Sequence, residues 1–244
     1  MGFWPEGCFA NKTVLVTGGT SGIGAAIAAA FLLEGARVTA TGVTQQEADD
    51  AALRLPGLRA EVLDVRDGNA VNRLVESLAT LHHVVNCAGV IRRGAEHEVD
   101  VFADVIDINL TGTMRICTAA RPKLKEAHGT IVNTASVLSY LGGGLVPGYA
   151  ASKGGVAQLT KSLAIAYAGD GIRVNAVAPG WIETPLTQAL RANPERNDAI
   201  LSRTPLARWG KPEDIAGGVL FLSSPIAGFV TGTVLAIDGG YLSM

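Results

Sequence analysis

The feature that most constrains the fold is a glycine-rich turn that follows a short apolar run near the amino end. Residues Thr13 to Val16 are apolar or β-branched and predict a strand, and Thr17 to Gly24 then carry glycine at four positions. Ala25 to Glu34 consist almost entirely of good helix formers, and Gly35 provides a stop before a second strand at Arg37 to Thr41. Strand, turn, helix and strand make one βαβ unit, which indicates parallel strands.

The same alternation continues along the chain. Further strands are expected at Arg59–Leu63, His83–Asn86, Gly129–Thr134, Ile172–Val177 and Thr233–Ile237, with helices near Gly68–Leu78 and through Val101–Leu110. Long helices are expected before and after the strand Ile172–Val177. Apolar strands separated by helices predict an α/β fold with a doubly wound parallel sheet of the Rossmann type, covered on both faces.

The length predicts a single domain over residues 1–244. One stretch, Trp181 to Pro212, is polar, contains four prolines and is too long for an ordinary connection, so it is predicted to be the least regular part of the chain and a candidate substrate lid.

Charge and residue usage argue against several classes of protein. The net charge is −2 and no run of five like charges occurs, which disfavours a nucleic-acid partner. No stretch of about 18 uncharged apolar residues suggests a membrane span, and Met1 to Lys12 do not resemble a leader segment. The three cysteines show no C-x-x-C spacing and the four histidines no ligand spacing, so neither a disulfide framework nor a metal site is expected. A cytoplasmic protein is the expectation.

The glycine turn is a candidate phosphate cradle. Ligands of doubly wound sheets lie at the carboxyl ends of the strands. Gly18, Gly22 and Gly24 would let the backbone approach a pyrophosphate, whose charge would meet the N–H groups that open the following helix. The spacing is G-x-x-x-G-x-G rather than the commoner G-x-G-x-x-G, and a flexible turn is the alternative in a chain with 30 glycines.

Tyr149 and Lys153 form a second candidate pair. Four residues apart on a helix, they would share a face, and a nearby ammonium favours the phenolate form of a tyrosine that acts as a base. An exposed helix pair is the alternative for this spacing.

Ser136 follows an apolar strand and would lie at the same sheet edge as the glycine turn. A turn or capping serine is the alternative. Neither Ser136 nor Ser21 lies in the G-x-S-x-G elbow of an α/β-hydrolase, which removes the best sequence support for serine hydrolysis.

Taken together, these motifs resemble those of the classical short-chain dehydrogenases/reductases. The order and approximate spacing match at Thr17–Gly24, Asn86-Cys87-Ala88-Gly89, Asn109, Ser136, Tyr149 with Lys153, and Pro179-Gly180. The resemblance covers essentially the whole chain. It implies an NAD(P)-dependent oxidoreductase that moves a hydride between a nicotinamide cofactor and a secondary alcohol or ketone, assembled as a homotetramer.

The resemblance also implies a role for each matching residue. Tyr149 would be the catalytic acid/base, and Lys153 would lower its pKa and hold the nicotinamide ribose. Ser136 would bind the substrate oxygen, and Asn109 would hold a water that links the lysine to solvent. The residues implied in cofactor binding are Gly18, Thr20, Ser21, Gly22, Ile23, Gly24, Asp64, Val65, Asn86, Ala88, Gly89, Tyr149, Lys153, Pro179, Gly180, Ile182 and Thr184. Within this set, Asp64 would contact the adenine, and Asn86, Ala88 and Gly89 would lie along the adenosine ribose and pyrophosphate. Ile182 and Thr184 would hold the nicotinamide carboxamide.

The choice between NAD and NADP depends on the end of the second strand. Many NAD users of this family carry an aspartate there for the ribose 2′-hydroxyl, but this chain has Gly42. No Arg or Lys occurs at positions 42 to 46 or within the glycine turn to neutralise a 2′-phosphate. A 2′-phosphate dianion without a cation is less favourable than a ribose 2′-hydroxyl without a carboxylate, so NAD is favoured over NADP.

Three stretches resemble the sugar-acid branch of the family, the 2-deoxy-D-gluconate 3-dehydrogenases and gluconate 5-dehydrogenases. They are Gly89–Arg93, Ser136–Gly143 and Pro205–Gly210. Arg92 and Arg93 are candidate ligands of a substrate carboxylate, since a guanidinium binds one bidentately, although surface or interface positions are the alternative for both.

Two other functions remain open. A 3-oxoacyl carrier-protein reductase that uses NADPH has nearly the same motifs, although it would normally have a basic patch for its acidic carrier. A non-catalytic dinucleotide-binding sensor is the more distant alternative, because a sensor has little need of Ser136, Tyr149 and Lys153 together.

Overall fold

The computed structural model describes residues 7–244, in which a parallel sheet of seven strands lies between two layers of helices. The strands are β1 Thr13–Thr17, β2 Arg37–Gly42, β3 Arg59–Val62, β4 His83–Asn86, β5 Thr130–Thr134, β6 Arg173–Pro179 and β7 Val234–Ile237. Their order is β3-β2-β1-β4-β5-β6-β7, and all six pairings are parallel. The predicted doubly wound α/β fold is confirmed.

Nine α-helices occur in residues 7–244. They are α1 Gly22–Leu33, α2 Gln45–Arg54, α3 Gly68–Ser77, α4 Val99–Ile106, α5 Gly112–Ala127, α6 Pro147–Tyr167, α7 Gln188–Arg191, α8 Pro194–Arg203 and α9 Pro212–Ser223. Apolar side chains of α1, α2 and α9 form a core cluster on one face of the sheet. Those of α3, α5 and α6 form a second cluster on the other face. Burial on both faces explains why the strands are apolar throughout rather than alternating.

The order of the strands places a binding crevice. The chain winds outward from β1 through β2 to β3 and then returns to β4 on the other side of β1, so the carboxyl ends of β1 and β4 form the topological switch point. The glycine turn leaves β1 and the segment Cys87–Gly89 leaves β4 at this point.

The structure corrects the sequence reading in three places. Helix α2 was not predicted, because only Ala48 and Ala51 are buried and the rest of the helix is polar and lacks a clear apolar periodicity. The helix expected through Val101–Leu110 is divided, with α4 passing into a π-helical turn at Asp107–Thr111 before α5. The stretch Trp181 to Pro212 has more regular structure than its sequence suggested, since it contains α7, α8 and a 3-10 turn at Pro185–Thr187.

The helices of residues 7–244 include none that is both long and apolar enough to cross a membrane. Half of the Met1–Lys12 segment, for which no leader was predicted, lies outside the described residues.

Candidate active site

The glycine turn packs against the segment that leaves β4. Gly18 has a φ of +64°, and a β-carbon there would lie 2.7 Å from the Ala88 Cα. A β-carbon at Gly24 would collide with the carbonyl oxygen of Gly18. Both glycines are therefore required for the turn to close on the start of α1, and the open backbone faces the crevice.

The amino end of α1 fits a phosphate. Ser21 is its N-cap residue, but the hydroxyl makes no capping hydrogen bond, and the first turn carries no acidic side chain. The backbone N–H groups of Gly22 and Ile23 thus have no intrahelical partner at the positive end of the helix dipole. These features fit the pyrophosphate of a dinucleotide.

The loop after β6 reaches the same crevice. A β-carbon at Gly22 would lie 3.4 Å from Thr184 Cγ2, so Thr184 lies directly over the glycine turn. A β-carbon at Gly180 would lie 2.7 Å from the Asp238 Cα, so this glycine is needed where Pro179 and Gly180 pass the end of β7. Of the two residues expected near the carboxamide, Ile182 has its side chain in the core beneath α9, which leaves only its backbone for a ligand.

Two residues of the implied cofactor-binding set, Asn86 and Val65, have buried side chains. Asn86 is buried, and its Nδ2 donates to Asn133 Oδ1 at 2.9 Å, so it links β4 to β5 instead. Asn86 therefore has only its backbone to offer along the ribose and pyrophosphate, and its place there stays a prediction. Val65 is likewise buried in the second core cluster.

Asp64 lies at the edge of the crevice beyond β3, as expected, but its carboxylate is paired with Arg66. The ion pair measures 2.6 Å, and the guanidinium of Arg66 holds the pKa of Asp64 below its usual value. An adenine amino group would share this carboxylate with the arginine.

Ser136, Tyr149 and Lys153 come together at the carboxyl end of β5. Tyr149 and Lys153 lie one turn apart on α6, and Lys153 Nζ is 5.6 Å from the centroid of the Tyr149 ring. The ammonium donates to the carbonyl of Thr134 at 2.6 Å, which ties α6 to the last residue of β5. The Ser136 hydroxyl accepts from Leu138 N–H at 3.1 Å and lies beside the phenol.

The buried position changes the proton affinities of this cluster. Burial raises the pKa of Tyr149, hydrogen bonding with Ser136 opposes the rise, and the charge of Glu96 adds to it. Burial also lowers the pKa of Lys153 to about 8. In the protein alone, desolvation of the phenol dominates, and the lowering of its pKa by Lys153 stays a prediction.

Asn109 lies in the π-helical turn that divides α4 from α5. Its Oδ1 accepts from Val90 N–H at 2.8 Å, and its Nδ2 donates to the carbonyl of Val90 and to the Ser152 hydroxyl, both at 3.0 Å. Asn109 thus joins the segment after β4 to α6, between Tyr149 and Lys153. A π-turn of this kind is frequent at functional sites, where it re-aims one side chain.

Glu96 was not singled out from the sequence. It is 1% exposed, and its two carboxylate oxygens accept from the backbone N–H groups of Arg92 and Tyr149, each at 2.7 Å. One buried carboxylate thus connects the arginine segment to the first turn of the helix that carries Tyr149. The sequence gives no periodic signal for it, since Glu96 stands in a short 3-10 turn among exposed residues.

A cavity of about 210 Å³ is bounded by Leu138, two residues after Ser136, and by Val146, three residues before Tyr149, although Ser136 and Tyr149 do not themselves line it. Three arginines also line it: Arg93, and Arg196 and Arg203 from α8. No Asp or Glu is among the lining residues of the described chain. Arg196 and Arg203 were missed by the sequence analysis, because nothing local indicates that α8 folds over the site.

The two arginines expected at the carboxylate separate in the structure. Arg93 lines the cavity, whereas Arg92 is directed to Asp104, with 3.6 Å between Nη2 and Oδ2. The prediction that Arg92 contacts the substrate is not supported by its placement.

Trp181 and Tyr241 also line the cavity that contains the three arginines. Their rings are 6.1 Å apart in an edge-to-face arrangement, and the Arg203 guanidinium lies 4.4 Å above the Tyr241 ring. The buried Nε1 of Trp181 has no hydrogen-bond partner within residues 7–244.

Known proteins resemble this chain along nearly its whole length. A family model described as enoyl-(acyl carrier protein) reductase matches residues 18–242. The 2-dehydro-3-deoxy-D-gluconate 5-dehydrogenase of Bacillus subtilis (strain 168) is 40% identical over 242 residues, which cover 96% of this chain and 95% of the relative. This chain belongs to the short-chain dehydrogenase/reductase family.

Other members of the short-chain dehydrogenase/reductase family are similarly close. The 3-oxoacyl-[acyl-carrier-protein] reductase of Thermotoga maritima is 40% identical, with 94% of this chain and 97% of the relative covered. A solved structure from Agrobacterium tumefaciens, provisionally assigned as a 2-deoxy-D-gluconate 3-dehydrogenase with bound NADP, is 40% identical with a TM-score of 0.89. It covers 98% of this chain and 99% of its own.

Family membership establishes the reaction class. The protein is an NAD(P)-dependent oxidoreductase that acts on CH–OH groups, and the glycine turn and the start of α1 described above fit its nicotinamide cofactor. The predicted resemblance to the sugar-acid branch is confirmed at the level of sequence similarity.

Proposed function

We propose that this enzyme oxidises a secondary alcohol of a sugar acid, or reduces the corresponding ketone, with NAD as the preferred cofactor. The observation that carries the substrate class is the cavity bounded by Leu138 and Val146, which has three guanidiniums and no carboxylate among its lining residues in the described chain. A guanidinium binds a carboxylate through parallel charge-assisted hydrogen bonds.

Tyr149 takes the hydroxyl proton of the alcohol during oxidation and returns it during reduction. Ser136 donates a hydrogen bond to the same substrate oxygen and holds the reacting carbon in one orientation. A bound nicotinamide supplies the hydride acceptor, or the donor in the reverse direction. Lys153 holds its ribose and, while protonated, favours the phenolate of Tyr149. Asn109 fixes the segment after β4 against α6 and holds the water that leads from Lys153 to solvent.

The cofactor lies along the crevice between the glycine turn, the segment after β4 and the loop after β6. Gly18, Thr20, Ser21, Gly22, Ile23 and Gly24 hold the pyrophosphate and the adjoining ribose. Asp64 contacts the adenine, Ala88 and Gly89 pass beneath the ribose, and Thr184 contacts the carboxamide, with Val65, Pro179, Gly180 and Ile182 contributing backbone. NAD is proposed over NADP because no Arg or Lys occurs at positions 42 to 46, although two relatives of known structure have NADP bound.

Residues 181–212 act as the substrate lid of this single domain. The proposal is supported by α8, which carries Arg196 and Arg203 to the cavity from a segment that contributes no strand to the sheet. A carboxylate held between α8 and Arg93 would close the segment over the substrate.

The proposed assembly is a homotetramer in the cytoplasm. Strand β7 lies at the edge of the sheet with its residues only partly buried, and the Phe229 ring next to it is fully exposed. Cys8, Cys87 and Cys117 are free thiols, which suits a reducing compartment. Light scattering of the purified protein measures the assembly directly.

The decisive experiment compares Arg93→Ala with Arg92→Ala. Loss of one guanidinium from the carboxylate should raise KM for an aldonate by roughly 10-fold or more, because charge-assisted hydrogen bonds contribute about 1.5–3 kcal/mol. KM for the neutral polyol analogue should change little. Arg92→Ala is the matched control, since Arg92 faces Asp104 rather than the cavity. Equal changes for acid and neutral substrates in Arg93→Ala would contradict the proposal.

One specific observation would favour a carrier-protein reductase instead, namely the similarity to the Thermotoga maritima enzyme. The cavity argues for the sugar acid, because a thioester presents no carboxylate at the reacting end. A non-catalytic sensor has no feature of its own in the site.

A further inference from the structure

The end of β2 lacks the acid that commonly binds the adenosine ribose. Gly42 is the last residue of β2 and is buried, and its carbonyl accepts from Leu63 N–H at 2.8 Å at the start of the segment after β3. A glycine at this point leaves the ribose 2′-hydroxyl without the acceptor that an aspartate would provide.

A carboxylate nevertheless reaches this point from the next helix. A β-carbon at Gly42 would lie 2.7 Å from Glu47 Oε2 and 2.7 Å from Thr20 Oγ1. The side chain of Glu47, in the first turn of α2, therefore occupies the space that a residue 42 side chain would fill, and it does so beside the glycine turn.

Glu47 also has a local structural role. Its Oε2 accepts from Val43 N–H at 2.7 Å, and its own N–H donates to the Thr44 hydroxyl at 3.2 Å, so it helps to cap α2. A carboxylate has about four acceptor positions, however, and this bond uses one of them. The remaining positions are available to ribose hydroxyls, because Glu47 is exposed to solvent.

A cation also lies at the glycine turn, where its donors are bonded to backbone carbonyls. Arg54, at the end of α2, donates from Nη2 to the carbonyl of Thr20 at 2.6 Å and from Nε to the carbonyl of Asp50 at 3.1 Å. Arg54 lies outside positions 42 to 46 and outside the turn itself, and its guanidinium would favour a 2′-phosphate.

We propose that Glu47 is the specificity-determining residue for the cofactor: its carboxylate accepts from the ribose hydroxyls of NAD and repels the 2′-phosphate of NADP. The inference rests on the proposed preference for NAD and assigns that preference to a residue of α2 rather than of β2. A phosphate dianion next to this carboxylate would bring like charges together, which disfavours NADP unless a cation intervenes.

The test is the ratio of the dissociation constants of NADPH and NADH, measured by fluorescence titration without substrate. The wild-type ratio should be roughly 100 or more, and Glu47→Gln should reduce it by roughly 10-fold, because the amide keeps one acceptor for Val43 but loses the charge. Asp49→Asn is the matched control, since it removes the same charge from the same helix, where Asp49 accepts only from Gln45 at 2.8 Å. Its ratio should equal that of the wild type.

The outcomes separate this inference from the proposed preference. A wild type that favours NADH with a ratio unchanged in Glu47→Gln would overturn the role of Glu47 alone. A wild type that favours NADPH, with affinity lost selectively in Arg54→Gln, would overturn both and assign the 2′-phosphate to Arg54. Because binding is measured without substrate, neither result depends on the sugar-acid proposal.

Discussion

Tyr149 lies in surroundings that oppose its ionisation in the protein alone. Burial and the charge of Glu96 both raise the pKa of its phenol, and only the hydrogen bond with Ser136 acts in the opposite direction. Since a base must lose its proton before it accepts one from the substrate, oxidation should accelerate with rising pH through the neutral and alkaline range. Lys153 limits the upper end, because its pKa of about 8 means that the ammonium is lost there.

The substitution Glu96→Gln tests how the Glu96 carboxylate affects the stability of the protein and the pKa of Tyr149. The amide accepts from only one of the two N–H groups that the carboxylate now satisfies, so stability should fall by about 1–3 kcal/mol. Removal of the negative charge should also lower the pKa of Tyr149 and move the midpoint of the pH–rate profile for oxidation to lower pH.

The control is Glu98→Gln, two residues away on the exposed surface. It should leave both the urea midpoint and the pH–rate midpoint unchanged. A loss of stability in Glu96→Gln with an unshifted pH–rate midpoint would mean that Glu96 is structural only.

The sequence predicted which residues carry the chemistry better than it predicted the contacts that they make. Ser136, Tyr149 and Lys153 meet as expected because the helical spacing and the strand end dictate it. Asn86 turns inward and Arg92 turns to Asp104, and neither direction is contained in the local pattern. The role of Glu96 could not be predicted from the sequence, because its partners are backbone N–H groups, which nearly every residue has.

At the scale of elements, the join between the glycine turn and α1 is the most constrained part of the site. Gly24→Ala would press a methyl group against the Gly18 carbonyl, so the turn must shift away from the pyrophosphate path. We expect a loss of about 1–3 kcal/mol in the free energy of unfolding, as for other overpacked sites, together with weaker NADH binding.

Gly68→Ala is the matched control for that variant. Gly68 opens α3 and has no atom within 4 Å of its would-be β-carbon, so alanine should leave stability within about 0.5 kcal/mol or raise it slightly. Urea denaturation and fluorescence titration measure both quantities. Equal behaviour of the two variants would contradict the close packing of the turn on α1.

The strands were predictable and two of the polar helices were not. All seven strands lie within two residues of their expected bounds, including β3 and β7, whose residues are only partly buried or exposed. Helices α2 and α8 each bury few side chains and are mostly polar, so hydrophobic periodicity does not reveal them. The π-turn at Asp107–Thr111 depends on Asn109 reaching Val90, a contact between segments 19 residues apart.

At the scale of the whole molecule, the site is built from segments that meet only through the sheet topology. The crevice combines the turn after β1, the segment after β4 and the loop after β6 at the switch point. The substrate cavity combines Arg93, α8 and Tyr241 near the carboxyl end. A chain with a net charge of −2 thus concentrates three arginines in one cavity, which favours an acidic substrate locally without a basic surface.

The most direct measurement is the steady-state rate of NAD reduction with an aldonate, compared between the wild type and Tyr149→Phe, with NADH binding measured in parallel. The wild type should turn over the acid, and the variant should lose roughly 100-fold or more of the rate while it binds NADH as well as the wild type does. A wild type active only on 3-hydroxyacyl thioesters with NADP, or a variant that keeps its turnover, would contradict the account.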